Sequence, residues 1–79
     1  MKQINKPAGV FRGQNFMTPD VVAYYKLGKG YAELSKGEFL GNDIYGVTVG
    51  PDMPDGSKDP RSKCCHSLAE AKAYIKELS

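Results

Sequence analysis

The sequence predicts an α+β fold in which a three-stranded antiparallel meander packs against one C-terminal helix. Residues 31–36 and 44–49 alternate apolar and polar side chains, as half-buried strands do. A turn at residues 40–43 separates them, so we expect the two runs to pair as a hairpin. Downstream, residues 67–70 have the Ser-x-x-Glu form of a capping box, and an apolar stripe follows. Together these features favour a sheet whose apolar face is covered by one helix.

The two alternating runs define the faces of the predicted sheet. Ala32 and Leu34 lie on one face of the first run. In the second run, Tyr45, Val47 and Val49 lie on one face, which favours a strand with its apolar side turned to the core.

Residues 18–29 carry two conflicting signals. Thr18-Pro19-Asp20 has the order of an N-cap, a proline at the first helical position and an acid in the first turn, which favours a helix. The β-branched and aromatic residues at positions 21–25 favour a strand, with a glycine-containing turn at 28–30 leading into residue 31. We prefer the strand, because no helical period follows the start signal. Residues 63–66 are a candidate short fourth strand.

The C-terminal helix is expected to run from about Leu68 to Leu78. One apolar stripe follows its length, with Tyr74 beside it. The stripe consists of Leu68, Ala71, Ile75 and Leu78.

The chain of 79 residues is short enough for one domain. Residues 1–17 show no sustained period and contain glycine, proline and asparagine, so we expect a flexible N-terminal segment ahead of a domain at 18–79. No long apolar run follows Lys2 and Lys6, so we expect neither a signal peptide nor membrane association. Few cysteines, and no disulfide framework, favour the reducing cytoplasm.

Basic side chains are concentrated near the N-terminus, although the whole chain carries a net charge of only +2. Residues 1–29 hold five basic side chains against Asp20 alone. A solvated tail is the simpler interpretation, and an arm that binds nucleic acid is the alternative.

The only cluster of soft ligands and nucleophiles is Cys64-Cys65-His66. In an extended segment Cys64 and His66 share a face, close to a helix N-terminus that favours a thiolate. The run offers three ligands at most where zinc needs about four, and no neighbouring residue orients the imidazole. We therefore expect Cys64 to pack under the helix. Cys64 and Cys65 remain candidate reactive thiols.

Other candidate motifs are weaker. Asp52, Asp55 and Asp59 do not have the spacing of a calcium-binding EF-hand and are interpreted as solvated turn residues. No phosphate-binding glycine motif is present in the sequence. We expect no catalytic residue, no metal and no cofactor, and the protein is not expected to be an enzyme.

Two features suggest binding. Four tyrosines fall in the predicted sheet, and a pair of them on the face away from the helix would expose rings suited to protein contact or base stacking. These candidates are Tyr24, Tyr25, Tyr31 and Tyr45. The second feature is the 50–62 loop, which contains three prolines and two glycines. Unstructured loops of this length are uncommon in compact domains and often functional.

The segment at residues 66–74, His-Ser-Leu-Ala-Glu-Ala-Lys-Ala-Tyr, resembles the [ST]-x-x-E-A-x-x-A-[YF] run of two families, with one residue fewer between the two alanines. These are the plant AP2 DNA-binding domain and the phage-integrase arm-binding domains. The resemblance implies a three-stranded sheet that reads the DNA major groove with arginine and aromatic side chains. Here the matching strands contain no arginine and include Glu33, which phosphates would repel. The chain is also similar in general character to small proteins of bacteria, plasmids and prophages.

We therefore expect a non-enzymatic binding module that contacts a protein partner or forms a homodimer. The contact surface would be the tyrosine-bearing sheet face or the 50–62 loop. The alternative is a nucleic-acid binder that uses the basic N-terminal arm and the sheet aromatics.

Overall fold

The computed structural model describes residues 1–10 and 17–79, and in these ranges the chain forms five strands and one helix. In chain order the elements are β1 (Lys2–Ile4), β2 (Asp20–Lys26), β3 (Tyr31–Phe39), β4 (Asn42–Gly50), β5 (Lys63–Cys65) and α1 (Leu68–Leu78). Each strand pairs antiparallel with the next, giving the sheet order β1-β2-β3-β4-β5. The predicted sheet-plus-helix class is confirmed, but the described sheet has five strands rather than three or four.

The extra strands lie at the two edges of the sheet. β5 is the candidate fourth strand of the sequence analysis. β1 was not anticipated, because three residues are too few to show a period, and it falls in the segment expected to be flexible. It pairs with β2 by setting Lys2 opposite Lys26 and Ile4 opposite Tyr24. Residues 11–16 of the same segment lie outside the described residues.

β2 resolves the ambiguity at residues 18–29 in favour of the strand. Its run of β-branched and aromatic residues pairs with β3, and the register shifts between Val21 and Ala23 as in a β-bulge. The strand turns into β3 through a tight connection, in which the Leu27 N–H donates to the Gly30 carbonyl oxygen. Gly30 has a φ of 86°, which a residue with a side chain rarely adopts.

The hydrophobic core lies between the sheet and α1. In the register, Leu34 lies between Ala23 and Val47, and these side chains share the face that α1 covers. Ile75 packs onto this face from the helix and is fully buried. The whole cluster consists of Ala23, Tyr25, Leu27, Ala32, Leu34, Val47, Val49, Cys65, Ala71 and Ile75.

The start of α1 is built by the predicted capping residues. The Ser67 Oγ accepts a hydrogen bond from the Glu70 N–H at 3.1 Å. The Glu70 carboxylate accepts from the His66 N–H at 3.1 Å, one residue earlier than a standard capping box. Both hydrogen bonds satisfy N–H groups that would otherwise lack partners near the helix start.

The predicted helix stripe is confirmed in its middle and fails at its start. Ala71 and Ile75 are buried, and Leu78 is partly buried against the core. Leu68 is exposed. Side chains in a helix point toward its N-terminus. The side chain of Leu68, the first helical residue, therefore points beyond the part of the helix that packs on the sheet.

We expect Ile75→Ala to lower the free energy of unfolding by roughly 2–5 kcal/mol, because it empties a fully buried site beneath the helix. That is a large fraction of the stability of so small a domain. Urea unfolding followed by circular dichroism measures the change. Lys72→Ala, on the exposed side of the same helix, is the control and should leave the midpoint nearly unchanged. Equal midpoints for both variants would show that the stripe is not core.

Candidate functional site

The four candidate tyrosines are divided between the two faces of the sheet. Tyr25 and Tyr45 lie on the face covered by α1, where Tyr25 is buried in the core and Tyr45 packs against it. Tyr24 and Tyr31 lie on the opposite face with their rings in edge-to-face contact, the centroids 6.3 Å apart. The structure therefore brings together one pair and not a surface of four rings.

The face away from α1 is not an open aromatic platform. Tyr24 is 4% exposed, and its hydroxyl donates to a Glu33 carboxylate oxygen at 2.9 Å. Glu33 is itself 4% exposed. The expectation of exposed tyrosines on this face is wrong for Tyr24 and holds only for the partly exposed Tyr31. A buried ring cannot stack on a base or on a partner's side chain.

The other end of this face is closed by the chain that leads into β2. Thr18 and Ser35 are both buried, and their hydroxyl oxygens are 2.7 Å apart in a hydrogen bond. The Ser35 hydroxyl is also 3.4 Å from the Gly46 carbonyl oxygen, to which it donates. Gly37 lies so close to the backbone of Met17 that a Cβ there would overlap the Met17 carbonyl oxygen.

The cysteines occupy the reverse of the expected positions. Cys65 is opposite Tyr45 and is fully buried in the core, whereas Cys64 is opposite Gly46 and exposed. Burial, followed by the charge of Glu70, raises the pKa of the Cys65 thiol. The prediction that Cys64 packs under the helix is therefore wrong, because the β4–β5 register assigns that place to its neighbour.

The 50–62 loop has defined internal structure. The Met53 N–H donates to the Ser57 carbonyl oxygen at 2.8 Å, and the Gly56 N–H donates to the Met53 carbonyl oxygen at 2.8 Å. The Asp55 carboxylate accepts from both the N–H and the hydroxyl of Ser57. These bonds lower the pKa of Asp55. Asp52 and Asp55 are exposed, as expected for solvated turn residues. The same expectation is wrong for Asp59, which is buried and paired with Arg61.

Asp59 and Arg61 attach this loop to the rest of the domain. The Arg61 guanidinium donates to both carboxylate oxygens of Asp59, at 3.0 and 2.8 Å, and reaches the Lys29 carbonyl oxygen at 3.4 Å. The Tyr74 hydroxyl of α1 donates to the Arg61 carbonyl oxygen. The Val49 N–H of β4 donates to the Ser62 hydroxyl at 2.9 Å. The loop is thus joined to the β2–β3 turn, to the helix and to the sheet.

A cleft of about 650 Å³ opens between this loop and the β2–β3 turn; we call it the loop cleft. Its walls are mainly apolar, and its rim carries Lys29 and Asp52. The apolar walls come from Pro51, Met53, Pro54 and Pro60. Gly50 also lines the cleft. The Tyr31 ring lies so close to Gly50 that there is no room for a Cβ at that position. Burial, followed by the charges of Glu33 and Asp52, raises the pKa of Tyr31.

The sequence indicated the loop but not the cleft. The signal was the excess of proline around a single methionine, which is typical of a rigid frame holding one adaptable side chain. Which prolines face inward depends on the path of the loop, and no local pattern encodes that path.

Among the described residues, no group of three or more His, Cys, Asp or Glu side chains is placed to hold a metal ion. Within residues 1–10 and 17–79, no helix has the length and apolar character needed to cross a membrane.

Comparison with known proteins finds no family model, no curated protein and no solved structure that matches the chain.

Iodoacetamide should alkylate Cys64 in the folded protein and leave Cys65 unmodified, because only Cys64 is exposed and the raised pKa of Cys65 lowers its thiolate fraction. Peptide mass spectrometry after a short reaction at neutral pH distinguishes the adjacent sites. The denatured protein serves as the control and should react at both. Preferential labelling of Cys65 in the folded state would contradict the observed β5 register.

The Asp59–Arg61 pair should make the loop sensitive to acid. Hydrogen bonds from the Arg61 side chain and then its N–H lower the pKa of Asp59 from 3.8 to about 2. Its contribution to stability is therefore complete above pH 3.8 and is lost as the pH falls toward 2. Urea unfolding of wild type and Asp59→Asn should differ near neutral pH and converge across this window. A difference that stays constant with pH would show that the carboxylate is not held by Arg61.

Proposed function

We propose that this protein is a cytoplasmic, non-enzymatic binding module that contacts a protein partner through the loop cleft. The observation that carries the proposal is the cleft itself, an apolar space of about 650 Å³ beside a loop attached at several points to the domain. Binding sites are typically concave and largely apolar, with a few polar groups at the edge. The loop cleft has this character, with Lys29 and Asp52 at its rim.

The chemistry of the walls suits a protein side chain. Three prolines give the cleft a rigid frame, so little conformational freedom is lost when a partner binds. Met53 is 40% exposed, and its flexible thioether adapts to an aliphatic or aromatic group. The volume exceeds that of one large side chain, which favours a short protruding segment of a partner over a single anchor residue.

The loop is also preorganised by the hydrogen bonds of Arg61, which itself lines the cleft. Arg61 is engaged by Asp59, by the Lys29 carbonyl oxygen and by Tyr74, so the cleft keeps its shape without a ligand. Of the two surfaces that the sequence analysis named, the loop is thus better supported than the tyrosine face, where Tyr24 is buried.

Nucleic-acid binding is the second candidate, and one observation favours it. Lys2 and Lys26 are directly opposite in the β1–β2 pair and both are exposed, so two positive charges face each other at a cost that a phosphate would relieve. Tyr24 is too buried to stack on bases, and β3 and β4 contain no arginine. Any such binding would rest on phosphate contacts alone and would weaken steeply with salt.

The tagged protein should capture a protein partner from a lysate of its own host at high salt, with or without nuclease treatment. Met53→Asp should abolish this capture, because it places a charge on an apolar wall of the cleft. Quantitative mass spectrometry of the captured material measures the change.

Val22→Thr is the control, because Val22 is another exposed apolar residue but lies within β2 and does not line the cleft. It should capture the partner as wild type does. Equal capture by Met53→Asp would refute binding through the cleft. Capture that disappears with nuclease or with added salt would support the nucleic-acid candidate instead.

A further inference from the structure

The β3–β4 hairpin projects beyond the rest of the sheet. β3 is paired with β2 only as far as Lys36, and β4 is paired with β5 only from Tyr45 onward. Residues 37–44 therefore form a two-stranded extension, which we call the hairpin arm. Positions 38–43 are all exposed. A two-stranded hairpin gains little from its own packing.

The end of the arm is apolar and conformationally unfavourable. Leu40 has a φ of 51° and is followed by Gly41 with a φ of 80°, as in the type I′ turns that favour Asn-Gly. A leucine in this backbone region is strained, and asparagine or glycine would relieve that strain. Leu40 is also 88% exposed, and Phe39 beside it is 43% exposed. Strain and apolar exposure at the same position point to a binding role.

The hairpin arm and the loop cleft lie at opposite ends of the same two strands. Tyr31 is paired with Gly50 at the cleft end, and Phe39 with Asn42 at the arm end. Nine residues of strand separate these ends by about 30 Å. One end of the domain thus presents an apolar projection, and the other an apolar recess.

Among the residues that the structure describes, the charged side chains at the two ends are of opposite net sign. At the arm end, Asp20, Glu38 and Asp43 outnumber Lys36, which forms a long ion pair with Asp43 at 3.8 Å. The cleft end carries three lysines against Asp52 at the rim, while Asp59 and Arg61 pair with each other. These lysines are Lys2, Lys26 and Lys29. In the 50–62 loop, the charges of Asp55 and Lys58 are of opposite sign and cancel in this count.

We propose that the partner of the loop cleft is a second copy of this chain, which inserts its hairpin arm. Leu40 and Phe39 would enter between the prolines and Met53, with Glu38 drawn toward Lys29. This inference rests on the proposed function of the cleft and adds the identity of the occupant. The contact is head-to-tail, so each copy keeps one unused arm or cleft, and assembly continues as an open chain. The surface is small, so the association is weak and transient.

Sedimentation velocity of the wild-type protein should show a sedimentation coefficient that rises between about 10 μM and about 1 mM. Leu40→Asn should weaken self-association by at least about tenfold, as loss of a central anchor does. Asparagine suits the turn, so this variant should unfold at a urea concentration no lower than wild type. Met53→Asp should weaken self-association to a similar extent.

The decisive sample is a mixture of the two variants. Leu40→Asn retains the cleft and Met53→Asp retains the arm, so an equal mixture should form dimers and nothing larger. Val22→Thr should associate like wild type. A mixture that stays monomeric, or Met53→Asp alone associating like wild type, would overturn the inference.

Failure of self-association can be distinguished from failure of binding through the loop cleft. Capture of a different protein through the cleft, by wild type and by Leu40→Asn alike, would support the cleft and eliminate the second copy as its partner. Self-association that survives in Met53→Asp and disappears in Leu40→Asn would indicate contact between two arms.

Discussion

The register between β3 and β4 is the constraint on which the rest of the structure depends. It sets Leu34 beside Val47 and Ala32 beside Val49, on the face that α1 covers. Because side chains alternate along a strand, a slip of one residue would turn these groups to the opposite face and expose the core. The same ladder places Tyr31 against Gly50 at one end and projects the hairpin arm at the other. Core, cleft and arm are thus consequences of one pairing.

In a chain of 79 residues, both faces of the sheet are needed for burial. One face holds the helix, and the other buries the Tyr24–Glu33 and Thr18–Ser35 hydrogen bonds. The loops and turns at the ends of the sheet remain largely exposed. The loop cleft occupies one end, and the strained Leu40 turn occupies the other. The two faces of the sheet thus contribute to stability, and the proposed contact sites lie at its ends.

The elements predicted correctly are those with signals contained in a few neighbouring residues. The Ser67 cap, the alternation of β3 and β4, and the β-branched run of β2 are all of this kind. β1 has no such signal, since its three residues form a strand only because the edge of β2 accepts them. The exchange of roles between Cys64 and Cys65 has a similar cause, because one step of register decides which thiol meets the helix.

By itself the sequence determined the kind and order of the main elements, the start of the helix, and the unusual composition of the 50–62 loop. These follow from backbone propensities and short-range hydrogen bonds, which act between residues close in the chain. Only the tertiary structure decided that Tyr24 is buried, that the prolines enclose a cleft beside Lys29, and that the hairpin arm extends past the residues paired with β2 and β5. Each of these depends on contacts between residues far apart in sequence, whose geometry no local pattern records.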